Sequence, residues 1–189
     1  MSIATSKRRT LTAEEFLARA EVPNSELIQG QVVEMTPPGM RHGNVQVEIA
    51  FLLRAFLKTQ DVGRAFVESG VVTARNPDSV RGPDISIYSW SRLPKGTLPH
   101  GYATTAPEVV IEILSPSQRL SELADKANEY LTAGVLAVCV VDPDRRSVVV
   151  YAENEGPRIF TEQDELILPT PLEGWKPRVE GFFPEEPGK

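Results

Sequence analysis

The sequence predicts a mixed α/β fold, a curved mixed β-sheet flanked by two long helices within a single domain spanning residues 1–189. Three observations predict it. Between His42 and Thr59 no Gly or Pro follows Gly43, and Val45, Ile49, Leu52, Leu53 and Phe56 recur at helical spacing. Glu108-Val-Val-Ile-Glu-Ile-Leu114 is a nearly continuous apolar run, as expected of a strand covered on both faces. Ser117 to Ala133 then reads as a second long helix, closed by Gly134. A chain of 189 residues is long enough for one well-cored domain and short for two.

The remaining elements follow in order. Thr12-Ala-Glu-Glu15 has the spacing of a capping box, with Phe16 and Leu17 behind it, and predicts a short first helix capped by Thr12. Glu26–Ile28 and Gln31–Met35, divided by Gln29-Gly30, predict a hairpin that ends at Pro37-Pro38-Gly39. Strands are expected at about Arg64–Glu68, Val71–Ala74 and Asp84–Tyr88, then at Val135–Val141 and Ser147–Tyr151. Ser117 is the expected cap of the second long helix. The final 25 or so residues, rich in Pro and Glu, carry no clear pattern. Residues 1–10 and about 185–189 are expected to be poorly ordered.

Composition excludes several classes. Hydrophobic residues make up 41% and charged residues 24%, a globular balance. No apolar run reaches the roughly 18–20 residues that a bilayer span needs. Met1–Arg9 is basic but lacks a hydrophobic segment behind it, so it is no signal peptide. The single Cys139 cannot form an internal disulfide. Together these features predict a cytoplasmic protein without membrane association. The net charge of −6 disfavours strong long-range attraction to nucleic acid, although residues 153–189 hold nine acidic and four basic side chains and carry most of that excess.

Two carboxylates and a lysine stand out. Asp84 opens a strand directly after Arg81-Gly-Pro83 and, alone, reads equally as a polar strand entrance. Glu112 sits inside Val-Val-Ile-Glu-Ile-Leu, where an ionised carboxylate costs several kcal/mol unless it is paired, protonated or bound to a cation. An ion pair with an Arg would answer that cost, and so would a metal ion; Asp and Glu oxygens are what Mg2+ prefers. Lys126 lies at the border of the apolar stripe Leu120, Leu123, Ala124, Ala127 and Leu131, on one face with Arg119, Glu122 and Tyr130. It reads either as a solvated helix lysine or as one that lies along the packed surface toward the preceding strand. Two carboxylates that hold Mg2+ and a lysine that steadies transition-state charge form a sensible set for phosphodiester hydrolysis.

The pattern resembles the Uma-two family of bacterial proteins, of the PD-(D/E)XK nuclease superfamily with its restriction endonuclease-like fold. The matching pieces are Leu11-Thr-Ala-Glu-Glu-Phe-Leu17, Glu26-Leu-Ile-Gln-Gly-Gln-Val-Val-Glu-Met35, Arg41-His-Gly43 and Arg81-Gly-Pro-Asp84. Further along come Glu108-Val-Val-Ile-Glu-Ile-Leu-Ser-Pro-Ser117, Lys126-Ala-Asn-Glu-Tyr130, Ala133-Gly-Val135 and Val141-Asp-Pro143. The resemblance implies Asp84 and Glu112 as metal ligands. The superfamily's lysine belongs two residues after the acid, where this chain has Leu114, and the resemblance implies that Lys126 on the following helix replaces it. Glu26 is implied as a further acid at the metal edge, or as a hairpin residue held in an ion pair. The implied activity is a Mg2+-dependent endonuclease acting on DNA, with Mn2+ as substitute, that pairs as a homodimer. A catalytically inactive restriction-fold module that binds nucleic acid or a protein partner is the alternative.

Other signals point nowhere. Leu114-Ser-Pro-Ser117 lacks the turn of a hydrolase nucleophile. One Cys and two His cannot build a zinc site without several carboxylates. His42 is expected as an N-terminal cap or surface residue of its helix, with a phosphate contact as the alternative, and Asp142 and Asp144 as turn residues.

Overall fold

A computed structural model describes residues 9–19, 24–116 and 118–183. The expected disorder of both termini falls mostly on residues 1–8 and 184–189, and the expected cap falls on Ser117; these lie outside the described residues. Helix α1 (Ala13–Leu17) begins at Thr12, whose side chain accepts from the Glu15 amide while the Glu15 carboxylate accepts from the Thr12 amide. Strands β1 (Ser25–Ile28) and β2 (Gln31–Glu34) form the hairpin. Its turn, Gln29-Gly30, has positive φ at both residues, as a two-residue hairpin turn requires. A Cβ at Gly30 would also lie 2.5 Å from the Thr10 Cβ, so glycine is needed twice over.

Helix α2 (Met40–Gln60) is followed by β3 (Gly63–Val67), β4 (Val71–Ala74), β5 (Ser79–Arg81), β6 (Ile85–Ser89) and β7 (Val109–Ile113). Helix α3 (Leu120–Thr132) leads to β8 (Ala137–Asp142), β9 (Ser147–Ala152) and β10 (Arg158–Thr161). The strands fall into two sheets, four in the order β2-β1-β5-β4 and six in the order β10-β9-β8-β7-β6-β3. Within the larger sheet only β7 and β8 run parallel, and α3 is the crossover that such a pair needs. Strands β5 and β10 are absent from the sequence reading. Ser79-Val-Arg81 is only three residues long between Pro77 and Gly82, and Arg158–Thr161 is an exposed edge with no alternation to detect.

Alternation along β7 sorts the two faces of the larger sheet. Val109, Ile111 and Ile113 pack with Ile85, Ile87, Cys139 and Val141 beneath Val45, Ile49, Leu53 and Leu57 of α2. Val110 faces the other way, against Ala127 and Tyr130 of α3 and Val138 of β8. Glu112 shares that second face. The patternless C-terminal stretch is a structural surprise: Leu166, Leu168, Leu172, Trp175, Val179 and Phe182 all enter the α2 side of the core. These residues carry no 2- or 3.6-residue period because the segment is irregular, apart from a 3-10 turn at Val179–Phe182. Phe182 is fully buried. Phe182→Ala should therefore cost about 3–5 kcal/mol in urea unfolding, whereas a loss under about 1 kcal/mol would mean that the segment is not part of the core.

Candidate active site

The β6–β7 register pairs Ile85 with Ile111, and one further step sets Asp84 opposite Glu112. Asp84 Oδ2 accepts from the Ile113 amide at 2.6 Å and from His42 Nε2 at 3.1 Å. Glu112 Oε1 accepts from the Tyr130 hydroxyl at 2.8 Å and lies 2.9 Å from Lys126 Nζ. Each carboxylate thus has one oxygen engaged twice. Asp84 Oδ1 and Glu112 Oε2 accept no hydrogen bond from the described residues, and both side chains line one cleft of about 560 Å³.

Lys126 does not extend into solvent. Its side chain is only 11% exposed, and its ammonium bridges Glu112 to Glu26 Oε1, 3.0 Å away. Glu26 is committed on both sides, because Oε2 takes Arg81 Nη1 at 2.7 Å and Oε1 also accepts from the Gly82 amide at 3.1 Å. Arg81 extends the network to Glu129, which in turn accepts from Thr73. These bonds tie the small sheet (Glu26, Thr73, Arg81) to α3 (Lys126, Glu129). Of the two readings of Glu26 set out above, the geometry matches an ion-paired hairpin residue that holds Lys126.

The charges shift accordingly. Burial pushes the Glu112 carboxyl up from 4.5 to about 7, Lys126 pulls it back, and Asp84 adds repulsion. For Glu26 burial acts in the same direction, but Lys126 and Arg81 outweigh it and its pKa lies below the usual value. Burial disfavours the Lys126 ammonium, yet Glu112 and Glu26 outweigh that as well, so it holds its proton more tightly than a free lysine. The His42 ring, disfavoured as a cation by burial, is raised on balance by its bond to Asp84 and by the charges of Asp84, Glu68 and Glu112.

The structure therefore brings Asp84, Glu112, Lys126 and Glu26 into one cleft. It also supplies residues that sequence reasoning missed. His42 is neither a cap nor a surface residue; it is 5% exposed and bonded to Asp84. Its place in Arg41-His-Gly43, on the buried stripe with Val45 and Ile49, was the available signal. Tyr130, one helical turn past Lys126, and Arg81, three residues before Asp84, were visible in the same motifs. Asp142 does act as a turn residue, accepting from the Asp144 and Arg145 amides.

The donor set suits a hard cation. Among the described residues no three Asp, Glu, His or Cys side chains converge into a cage. Mg2+ needs none, since it commonly takes one or two carboxylates and keeps waters or phosphate oxygens in its other positions. Two free carboxylate oxygens on opposed strands meet that requirement.

A mixed sheet with helices on both faces, and carboxylates at the end of two adjacent central strands beside a lysine, defines a restriction endonuclease-like nuclease fold. The chain belongs to the Uma2 family, described as "Putative restriction endonuclease", whose model matches residues 13–180. It is similar to a solved structure from Anabaena variabilis ATCC 29413, described as "a putative nuclease belonging to DUF820". The two are 28% identical, with a TM-score of 0.80 over 92% of this chain and 97% of that one. No curated protein matches the chain.

Because the Glu112 carboxyl is raised in the folded protein, the native state holds a proton that the unfolded chain has released between about pH 4.5 and 7. Its contribution to stability is complete below 4.5 and is lost as pH rises through 7. Metal-free parent protein should accordingly lose on the order of 2 kcal/mol relative to Glu112→Gln between pH 5 and 8, measured by urea unfolding. A difference that does not change with pH contradicts this assignment.

Proposed function

We propose that the chain is a Mg2+-dependent endonuclease that hydrolyses phosphodiester bonds of DNA, with Mn2+ able to substitute. One observation carries the reading: two opposed carboxylates, Asp84 and Glu112, each keep one oxygen free in a cleft whose wall holds a protonated lysine. Asp84 Oδ1 and Glu112 Oε2 are the atoms that would hold the cation. When bound, it supplies charge neutralisation at the scissile phosphate and a water of lowered pKa.

The chain's own residues do the rest by position. Lys126 cannot serve as a base at neutral pH, because Glu26 and Glu112 hold its proton. Its ammonium is a largely buried, fixed positive charge on the wall of the cleft, and such a charge stabilises the negative charge that develops on phosphate as the bond breaks. Glu26 and Arg81 fix where that ammonium sits, and Tyr130 holds Glu112 so that Oε2 stays open to the cleft. With a net charge of −6, the chain has no long-range attraction for DNA, and binding would depend on contacts within the cleft and on the cation held there.

Metal binding and chemistry separate by substitution. Asp84→Asn and Glu112→Gln should weaken Mn2+ binding in calorimetry and abolish cleavage. Lys126→Ala should leave Mn2+ affinity equal or higher, because it removes a repelling charge, yet slow cleavage about 10²-fold or more. Removing the ammonium also leaves Glu26 and Glu112 less well compensated. That costs about 3–5 kcal/mol in EDTA, and Mn2+ should restore part of it. Lys126→Ala that cuts DNA at the parental rate would remove the lysine from the mechanism. A parent that neither binds Mn2+ nor cuts DNA or RNA would replace this reading with that of a binding module.

A further inference from the structure

The Arg41-His-Gly43 motif has no role in the chemistry above, yet its histidine is buried against Asp84. Helix α2 grips that aspartate twice from one face. His42 Nε2 is 3.1 Å from Oδ2, and Gln46, one turn further on, donates to the Asp84 carbonyl oxygen at 2.9 Å and to Glu68 Oε1 at the same distance. The Ile113 amide from β7 closes the third side, also on Oδ2.

The ring's orientation decides what His42 can do. A carboxylate oxygen only accepts, so Nε2 carries a hydrogen in either charge state of the ring. The other nitrogen, Nδ1, is sealed from solvent and has no hydrogen-bond partner among the described residues. It cannot take a proton from a water in the cleft or touch a phosphate. An aspartate–histidine pair whose outer nitrogen reached the cleft would be a general base; this pair is closed on that side, so His42 acts only through Asp84.

We propose that His42 is a positioning residue for the cation site. Together with the Ile113 amide it occupies Asp84 Oδ2, leaving Oδ1 as the one oxygen of that side chain presented to a metal. Fixing the carboxylate beforehand removes rotamer freedom that binding would otherwise have to quench, and outer partners of this kind are typically worth 10- to 100-fold in metal affinity. The inference rests on the metal-site reading given above.

Calorimetry with Mn2+ alone, without nucleic acid, tests it on the parent, His42→Leu and His42→Gln. His42→Leu removes the donor; His42→Gln keeps an N–H at the reach of Nε2. Mn2+ binding should weaken about 10- to 100-fold in His42→Leu and stay within about threefold of the parent in His42→Gln. Imidazole ¹⁵N spectra of the metal-free parent provide a readout that needs no variant to fold, and should show His42 protonated at Nε2. Equal affinity in His42→Leu and the parent would overturn the positioning role and leave the metal site intact. Equal losses in both variants would overturn it too, since ring packing rather than the hydrogen bond would then be responsible. An Nε2 without a proton would overturn it directly. A parent that binds no Mn2+ would remove the metal site and this role with it.

Discussion

The ammonium of Lys126 is the pivot of the molecule. Glu112 lies within a strand whose neighbours are Val, Ile and Leu, a place where an unpaired charge costs several kcal/mol. One lysine, reaching back from the helix that follows that strand, meets Glu112 and Glu26 within 3.0 Å. The two acids belong to different sheets, so the same ammonium that makes Glu112 tolerable also fastens the small sheet against α3. Arg81, Glu129 and Thr73 repeat that fastening a few ångströms away.

The charges around this pivot do not cancel. With Glu112 ionised and His42 neutral, Asp84, Glu26, Glu112 and Glu129 bring four negative charges, against two positive ones from Lys126 and Arg81. The excess of two is concentrated at Asp84 and Glu112, where the free oxygens are. The lysine therefore balances the buried pair without quenching the site. Placement on the helix lets the ammonium enter from the α3 face, between the two sheets.

Much of this was legible in the sequence, and the gaps have physical causes. The two long helices, the hairpin and the central strands announced themselves by period, because each buries a regular face. The capping box at Thr12 and the Gln29-Gly30 turn were equally plain, as both depend on local chemistry alone. Glu112 stood out because a charge in an apolar strand is costly. What escaped was whatever depends on long-range packing: the short β5, the exposed β10, and the irregular segment from Leu166 to Phe183 that completes the core. His42 was misread for the same reason. A histidine near a helix start is usually solvated, and only the approach of Asp84, 42 residues later in the chain, makes it a buried partner.

The family match over residues 13–180 and the likeness to the Anabaena structure concern the whole arrangement rather than a motif, since the strands that carry the carboxylates and the helix that carries the lysine all lie inside it. The central claim is that the two free oxygens, Asp84 Oδ1 and Glu112 Oε2, share one divalent cation. Crystals of the protein soaked in Mn2+ and measured for anomalous scattering test it most directly. A single peak between those two oxygens, within bonding distance of both, with Lys126 still bonded to Glu26, is the predicted result. A map without a peak there at millimolar Mn2+, or with the ion bound elsewhere, would contradict the account.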